Sequence, residues 1–198
     1  MGDPKKRRKK FSAPSKRWEK DRIDEEKSLI REYGLKNKKE IWKFEFKLRN
    51  FSRQAKRLVA LKTAQAEKEK EQLLLKLKSL SLLSGTAKLE NILDLQLKDL
   101  LDRRLQTVVY KKGLARSVNA ARQLITHGHI FIDKVKITVP SYTVLAKEDP
   151  LITYSQSSPF SNDQHPERIV MKKAPKPKKV IEPKGKYNRN KQQRKFKK

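Results

Sequence analysis

The sequence contains no cysteine. That excludes disulfides, thiol nucleophiles, iron–sulfur clusters and cysteine-ligated zinc. No apolar run approaches the roughly 18 residues of a membrane span. The basic run Lys5, Lys6, Arg7, Arg8, Lys9, Lys10 is not followed by the apolar stretch of a secretory signal, so a soluble intracellular protein is expected. Aromatic residues are scarce at 7% and hydrophobic residues total 35%, which limits the chain to a small core. Acidic residues are short as well: 22 Asp and Glu stand against 51 Lys and Arg in 198 residues, a formal charge of +29. That self-repulsion calls for a polyanionic counterpart. Nucleic acid is the first candidate, and an anionic membrane surface or heparin-like polymer the second. Part of the chain is expected to order only when bound anions neutralise it.

What is present is mostly helical. Six adjacent cations cannot fold alone, so residues 1–15 read as a basic arm whose Lys5, Lys6, Arg7 and Arg8 contact phosphates. Trp18, Arg22, Glu25, Leu29, Ile30 and Tyr33 recur at helical spacing from Lys16, and Gly34 stops that helix. Asn37 and Glu40 have the spacing of a capping box for the next one. From there Ile41, Phe44, Leu48, Phe51, Ala55 and Leu58 step by three and four, which defines one helix face. Lys43, Lys47, Arg53, Lys56 and Arg57 occupy much of the remainder and are candidate RNA contacts. A further helix is expected from Ala64 to Leu83, with Leu73, Leu74, Leu77, Leu80 and Leu83 as packing residues, and a short helical turn over Leu89 to Leu95. Residues 16–96 thus read as a helical domain. Residues 171–198 carry thirteen Lys or Arg and one Glu, interrupted by Pro175, Pro177 and Pro183, and are expected to be a disordered basic tail.

The densest information lies in residues 97–155. Leu97 to Val109 predicts one helix burying Leu97, Leu100, Leu101, Leu105 and Val108. Arg104 falls on that apolar side, where an unpaired guanidinium is costly. It must either reach an anion along the helix edge or pair internally. A glycine-containing turn, Lys111 to Ser117, leads to a second helix. Ser117 suits its N-cap, and Gly128 suits a left-handed C-terminal end. On a helical wheel Val118, Ala120, Ala121, Leu124 and Ile125 fall in an arc of roughly 160°. Asn119, Arg122, Gln123 and Thr126 lie opposite, within roughly 100°. Helix-start amides, Arg116 and Ser117, flanked by Lys111 and Lys112, favour a phosphate. Arg103 and Lys134, near the two ends of the unit, complete the candidate contacts.

Short strands follow. His129 to Ile132 pairs with a second strand in which Val135, Ile137 and Val139 alternate with Lys134, Lys136 and Thr138, giving one buried and one wet face. Tyr142 to Leu145 and Leu151 to Tyr154 predict two more. His127 and His129 suggest a metal ligand pair, but only His165 remains as a third histidine and no carboxylate has a matching spacing. A histidine at the helix end stacking on or bonding a nucleotide fits better, so no metal and no cofactor is expected. Cations opposite a core face, without exposed aromatic anchors, favour nucleic acid over a membrane. Asn119, Arg122 and Gln123 could read duplex DNA from a recognition helix, which leaves a DNA-binding helix–turn–helix as a competitor on these residues alone.

The run from Arg103 to Ser117 (RRLQTVVYKKGLARS) followed by Ala121 to Ile130 (ARQLITHGHI) resembles the S-four RNA-binding domain. The flanks resemble the archaeal and eukaryotic type of the small-subunit ribosomal protein S-four family: Gly2 to Lys6, Tyr33 to Trp42, Thr153 to Phe160 and His165 to Arg168. The resemblance covers about residues 1–170. It implies an α+β fold: a mostly helical N-terminal half wrapped with a small helix–turn–helix plus short antiparallel β-sheet domain, with basic disordered tails and an extension over residues 156–170. It implies direct binding of small-subunit ribosomal RNA early in assembly, contact with the neighbouring small-subunit protein S-five, and a place near messenger-RNA entry. Two departures stand out. The family's Arg-Leu-Asp is Arg104, Leu105, Gln106 here, which questions a local ion pair, and the common Asn-Gly hairpin is replaced around Asp133 and Lys134. The cysteine zinc knuckle of some relatives is absent. The alternative is a paralogous RNA-binding component of a ribosome-processing ribonucleoprotein. An RNA-modifying enzyme would need a catalytic domain for which the chain leaves no room.

Overall fold

The computed structural model describes residues 2, 9–61, 63–85, 88–162 and 165–166. The cations Lys5, Lys6, Arg7 and Arg8 and the 171–198 tail lie outside the described residues.

Three helices open the chain. Helix α1 (Lys20–Tyr33) is closed by Gly34, whose φ of +56° lets its N–H return to the Ile30 carbonyl. Trp18 was expected on this helix. It lies before it instead and is 91% exposed. Helix α2 (Lys38–Ala60) begins after Asn37, but the expected capping box does not form, because the Asn37 side chain makes no cap bond. The Glu40 carboxylate is drawn away to two arginines. Helix α3 (Ala64–Ser79) starts under the Thr63 hydroxyl, which accepts from the Ala66 N–H at 3.2 Å, and it stops short of the expected Leu83. The short turn expected near Leu89 is a 3-10 turn, Glu90–Ile92.

The apolar stripe of α2 serves two cores in succession, as its three-four periodicity requires. Ile41 and Phe44 pack with Tyr33, Leu35, Leu100 and Leu101. Further along, Ala55 and Leu58 pack with Ala66, Leu73, Leu77 and Ile92.

The single helix expected over Leu97 to Val109 is broken in two: α4 (Leu97–Asp102) and α5 (Leu105–Lys111). The reason lies forty residues downstream. Residues 142–145 were expected to be a strand. They form none, but run beside the break. There the Leu105 N–H donates to the Tyr142 carbonyl at 2.8 Å and the Val144 N–H to the Arg103 carbonyl at 2.9 Å, with Arg104 and Thr143 in an isolated antiparallel bridge. Breaking the helix frees the backbone groups that satisfy this buried segment. The Thr107 hydroxyl donates to the Leu101 carbonyl at 2.9 Å and satisfies a buried carbonyl at the end of α4.

Helix α6 (Val118–Thr126) forms as the wheel predicts, with the Ser117 hydroxyl accepting from the Ala120 N–H at 3.1 Å and Gly128 at φ +76° after its end. Strands β1 (Ile130–Ile132), β2 (Val135–Lys136) and β3 (Ile152–Tyr154) form one antiparallel sheet in the order β2-β1-β3. Ile132 faces Val135 on one side and Ile152 on the other. The hairpin turns at Asp133, whose φ of +55° a short polar side chain tolerates. The alternation expected after it does not yield a buried face, since Val135 is 64% and Val139 53% exposed. A two-residue edge strand has no layer above it to bury them. One core joins Leu105, Val109, Ala121, Ile125, Ile130 and Val144, so the sheet and the α5–α6 pair form a single unit. The architecture is α+β, as expected.

Candidate nucleic-acid interface

The basic face of α2 is laid out as its spacing implies. Lys43, Lys47, Arg53, Lys56 and Arg57 are all exposed. Lys47 lies 5.0 Å from the Phe44 ring centre. Desolvation, followed by the charges of Lys76 and Lys10, pulls its pKa down.

On α6 the polar and apolar sides separate cleanly. Ala121, Leu124 and Ile125 are buried, whereas Asn119, Gln123 and Thr126 face solvent. Arg116 and Ser117 are exposed where the helix begins. His127 closes the helix and is exposed, Gly128 is buried beneath Lys136, and His129 is partly covered. The Ser158 hydroxyl lies 2.9 Å from His129 Nδ1 and Phe160 meets the ring edge-on at 5.0 Å. Burial, then His127 and Lys136, lowers the His129 pKa, so the ring is neutral at physiological pH. Lys134 is exposed in the hairpin. The structure thus gathers Arg116, Gln123, His127 and His129 around one hollow of about 250 Å³.

Other predicted contacts are placed differently. Lys111 and Lys112 do not flank the start of α6. Lys111 Nζ is 2.7 Å from Asp102 and Lys112 Nζ 3.4 Å from Asp149, so each faces a carboxylate in a separate hollow. Arg103 also turns to Asp149, at 2.9 Å, and to the Val144 carbonyl at 3.2 Å.

Arg104 corrects the list of candidate contacts most sharply. Its side chain is fully buried, and Nη2 lies 2.5 Å from Glu40 Oε2 and 3.2 Å from Gln106 Oε1. Internal pairing is therefore the role taken, because a guanidinium placed at a helix break inside the core needs a carboxylate there. The same Glu40 holds Arg122, Nη2 to Oε1 at 2.9 Å, so this arginine is only partly exposed. Burial raises the Glu40 pKa, but its bonds to Arg122 and Arg104 outweigh that and hold it below the ordinary carboxylate value. Gln106, which stands where the family pattern has Asp, is buried too. Its amide donates to the Gly34 and Val118 carbonyls at 3.1 and 3.0 Å. An aspartate offers no N–H for those two carbonyls.

The sequence pattern does not mark Glu40 and Asp149 as ion-pair partners, nor Tyr154 and Phe160 as lining the hollow beside α6. The one available signal was Arg104 itself, whose apolar position demanded an acid somewhere in the chain. Among the described residues no group of His, Asp or Glu could hold a metal ion. No helix of the described residues is long and apolar enough to cross a membrane.

Residues 103–149 match the S4 domain family. Small ribosomal subunit protein uS4 of Ignicoccus hospitalis is 50% identical over 160 residues, covering 81% of this chain and 96% of that protein. The uS4 protein of Thermoplasma acidophilum is 48% identical over 174 residues, 86% of this chain and 87% of its own. That of Methanococcus maripaludis is 44% identical over 171 residues, 86% and 96% respectively.

Proposed function

This chain belongs to the small ribosomal subunit protein uS4 family, and on that premise we propose that it is a structural constituent of the small ribosomal subunit that binds small-subunit ribosomal RNA directly. The family is structural, and the protein is not an enzyme. The observation that carries the reading is the two-sidedness of α6. One side closes the core, while Arg116, Ser117, Asn119 and Gln123 remain at the surface. A helix with a sealed apolar side and a polar outer side, entered at the cation Arg116, suits phosphate contact. The exposed cations of α2 extend the same chemistry. Early binding that nucleates assembly, contact with protein S-five, and a position near messenger-RNA entry belong to this proposal. So does its consequent location in the ribosome of the cytoplasm.

Filter binding of the full chain to small-subunit ribosomal RNA tests it. Affinity should fall with salt at a slope of about −0.7 to −0.9 per phosphate contacted. Arg116→Ala should weaken binding by about 1–3 kcal/mol. A flat salt profile with an unchanged Arg116→Ala affinity overturns the reading. Crosslinking within assembled subunits to S-five and to messenger RNA tests the finer placement.

A further inference from the structure

The hollow beside α6 has a construction that phosphate binding does not require. Leu114, Ala120 and Leu124 give it an apolar floor, and Tyr154 and Phe160 give it an aromatic wall, their rings 6.3 Å apart and 20° from parallel. The wall is held in place. The Tyr154 hydroxyl donates to the Leu114 carbonyl, tying β3 to the α5–α6 turn. The Ser158 hydroxyl accepts from the Phe160 N–H at 3.2 Å and fixes the 3-10 turn that carries the ring.

We propose that this hollow is a slot for one unstacked nucleobase of the bound RNA. Its volume, about 250 Å³, lies below the roughly 300–1,000 Å³ of sites for drug-sized ligands. It therefore takes a single ring system and leaves the sugar and phosphate outside. Aromatic walls stack on bases of any identity, because every base has a π-face. The rim supplies what an RNA segment needs at that depth. The Gln123 amide both donates and accepts at a base edge. Ser158 engages His129 through Nδ1, which leaves Nε2 for a ligand. Arg116, on the same rim, stands where the backbone phosphate of an inserted nucleotide would lie. An apolar side chain from a neighbouring protein would use the floor but not the polar rim at Gln123 and His127.

The inference rests on the RNA-binding reading, and the experiment separates the two. The full chain is compared with Ala120→Leu, which fills the slot, and Phe160→Leu, which keeps an apolar side chain there but removes the ring. Arg116→Ala serves as the backbone-contact reference. The probe is small-subunit ribosomal RNA. Each slot variant should weaken binding about tenfold, the effect of one lost base–aromatic stack, with the salt slope unchanged because no phosphate contact is removed. Ultraviolet crosslinking of the wild-type complex should give a nucleotide adduct on the peptide bearing Tyr154 or Phe160. This readout needs no variant to fold. Wild-type affinity in both slot variants, beside a weakened Arg116→Ala and no such adduct, overturns the slot and leaves RNA binding intact. A protein crosslink at Phe160 in assembled subunits likewise overturns it. Failure of the wild-type chain to bind the RNA removes both readings.

Discussion

Glu40 and Arg104 are 64 residues apart in sequence and 2.5 Å apart in the structure. One belongs to α2 and the other to the break between α4 and α5, so a single carboxylate spans the helical half and the S4 domain. It also serves Arg122 on α6. Glu40 is the only carboxylate paired with Arg104 among the described residues: its Nε and Nη1 are buried without hydrogen-bond partners, Nη2 also meets the neutral Gln106 amide, and the Phe44 ring lies 6.0 Å from Cζ. Burial lowers its pKa, and Glu40 opposes that shift.

Removing the acid should therefore cost more than removing the pair. Glu40→Gln leaves a charge buried without compensation, and about 3–5 kcal/mol of stability should be lost. The double variant Glu40→Gln with Arg104→Met should recover much of it, since an apolar side chain of similar length needs no partner. Urea unfolding followed by circular dichroism measures both. Additive losses would show that the two residues do not depend on each other.

Acid should weaken the protein through the same residue. The Glu40 pKa is held below its ordinary value near 4.5, as is that of buried Glu26. For Glu26 burial again opposes, and bonds from Trp42, Lys38 and Arg22 prevail. A carboxylate depressed on folding stabilises the native state above its unfolded pKa, and that contribution is lost as pH falls through the folded value. His129, whose pKa burial also lowers from 6.5, should cause a first, smaller loss as pH falls below about 6.5, and the two carboxylates should add a steeper decline below about 4.5. Glu40→Gln should flatten the decline. Thermal melts across this range provide the measurement.

Gly34 is more than a helix stop. A Cβ at this position would lie 2.7 Å from Asn119 Oδ1 and 3.0 Å from both Gln106 Nε2 and Val118 Cγ1, with the backbone at φ +56°. Gly34→Ala should therefore destabilise by more than the roughly 1 kcal/mol of an ordinary left-handed alanine, because it also parts α1 from α6. Gly85→Ala, where nothing lies within 4 Å, is the matched control. Equal unfolding midpoints for the two variants would contradict this close approach.

Lys111 and Lys112 should matter less to RNA binding than Arg116. Each already faces a carboxylate, so binding a phosphate means giving up that pairing. Lys111→Ala and Lys112→Ala should each weaken binding to small-subunit ribosomal RNA by less than Arg116→Ala, by about 0–1 kcal/mol, the scale of an exposed ion pair. Filter binding at constant salt ranks the three. A larger loss for either lysine would mean that its carboxylate yields to RNA.

Local patterns were readable wherever the physics is local. The two faces of α6, the Ser117 cap and the left-handed Gly128 depend on residues within one or two helical turns, and all three are as the sequence implies. The α4–α5 break is different. The apolar spacing of Leu97 to Val108 is continuous, and the cause of the break is the backbone of residues 142–144, which no local pattern reveals. Glu40 misled for the same reason. Its spacing from Asn37 suits a capping box, but two distant guanidiniums, one at the α4–α5 break and one on α6, outcompete one backbone N–H. The hollow beside α6 assembles the turn, the helix, β3 and the 3-10 turn at Phe160, so its residues share no spacing at all.

The ion pair between Arg103 and Asp149 joins the first and last residues of the segment that matches the S4 domain. Strand β3 pairs with β1 from just beyond that segment, so the clasp ties the entry of the unit to the turn that launches its last strand. Glu40, on the far side of the seam, is contributed by the helical half.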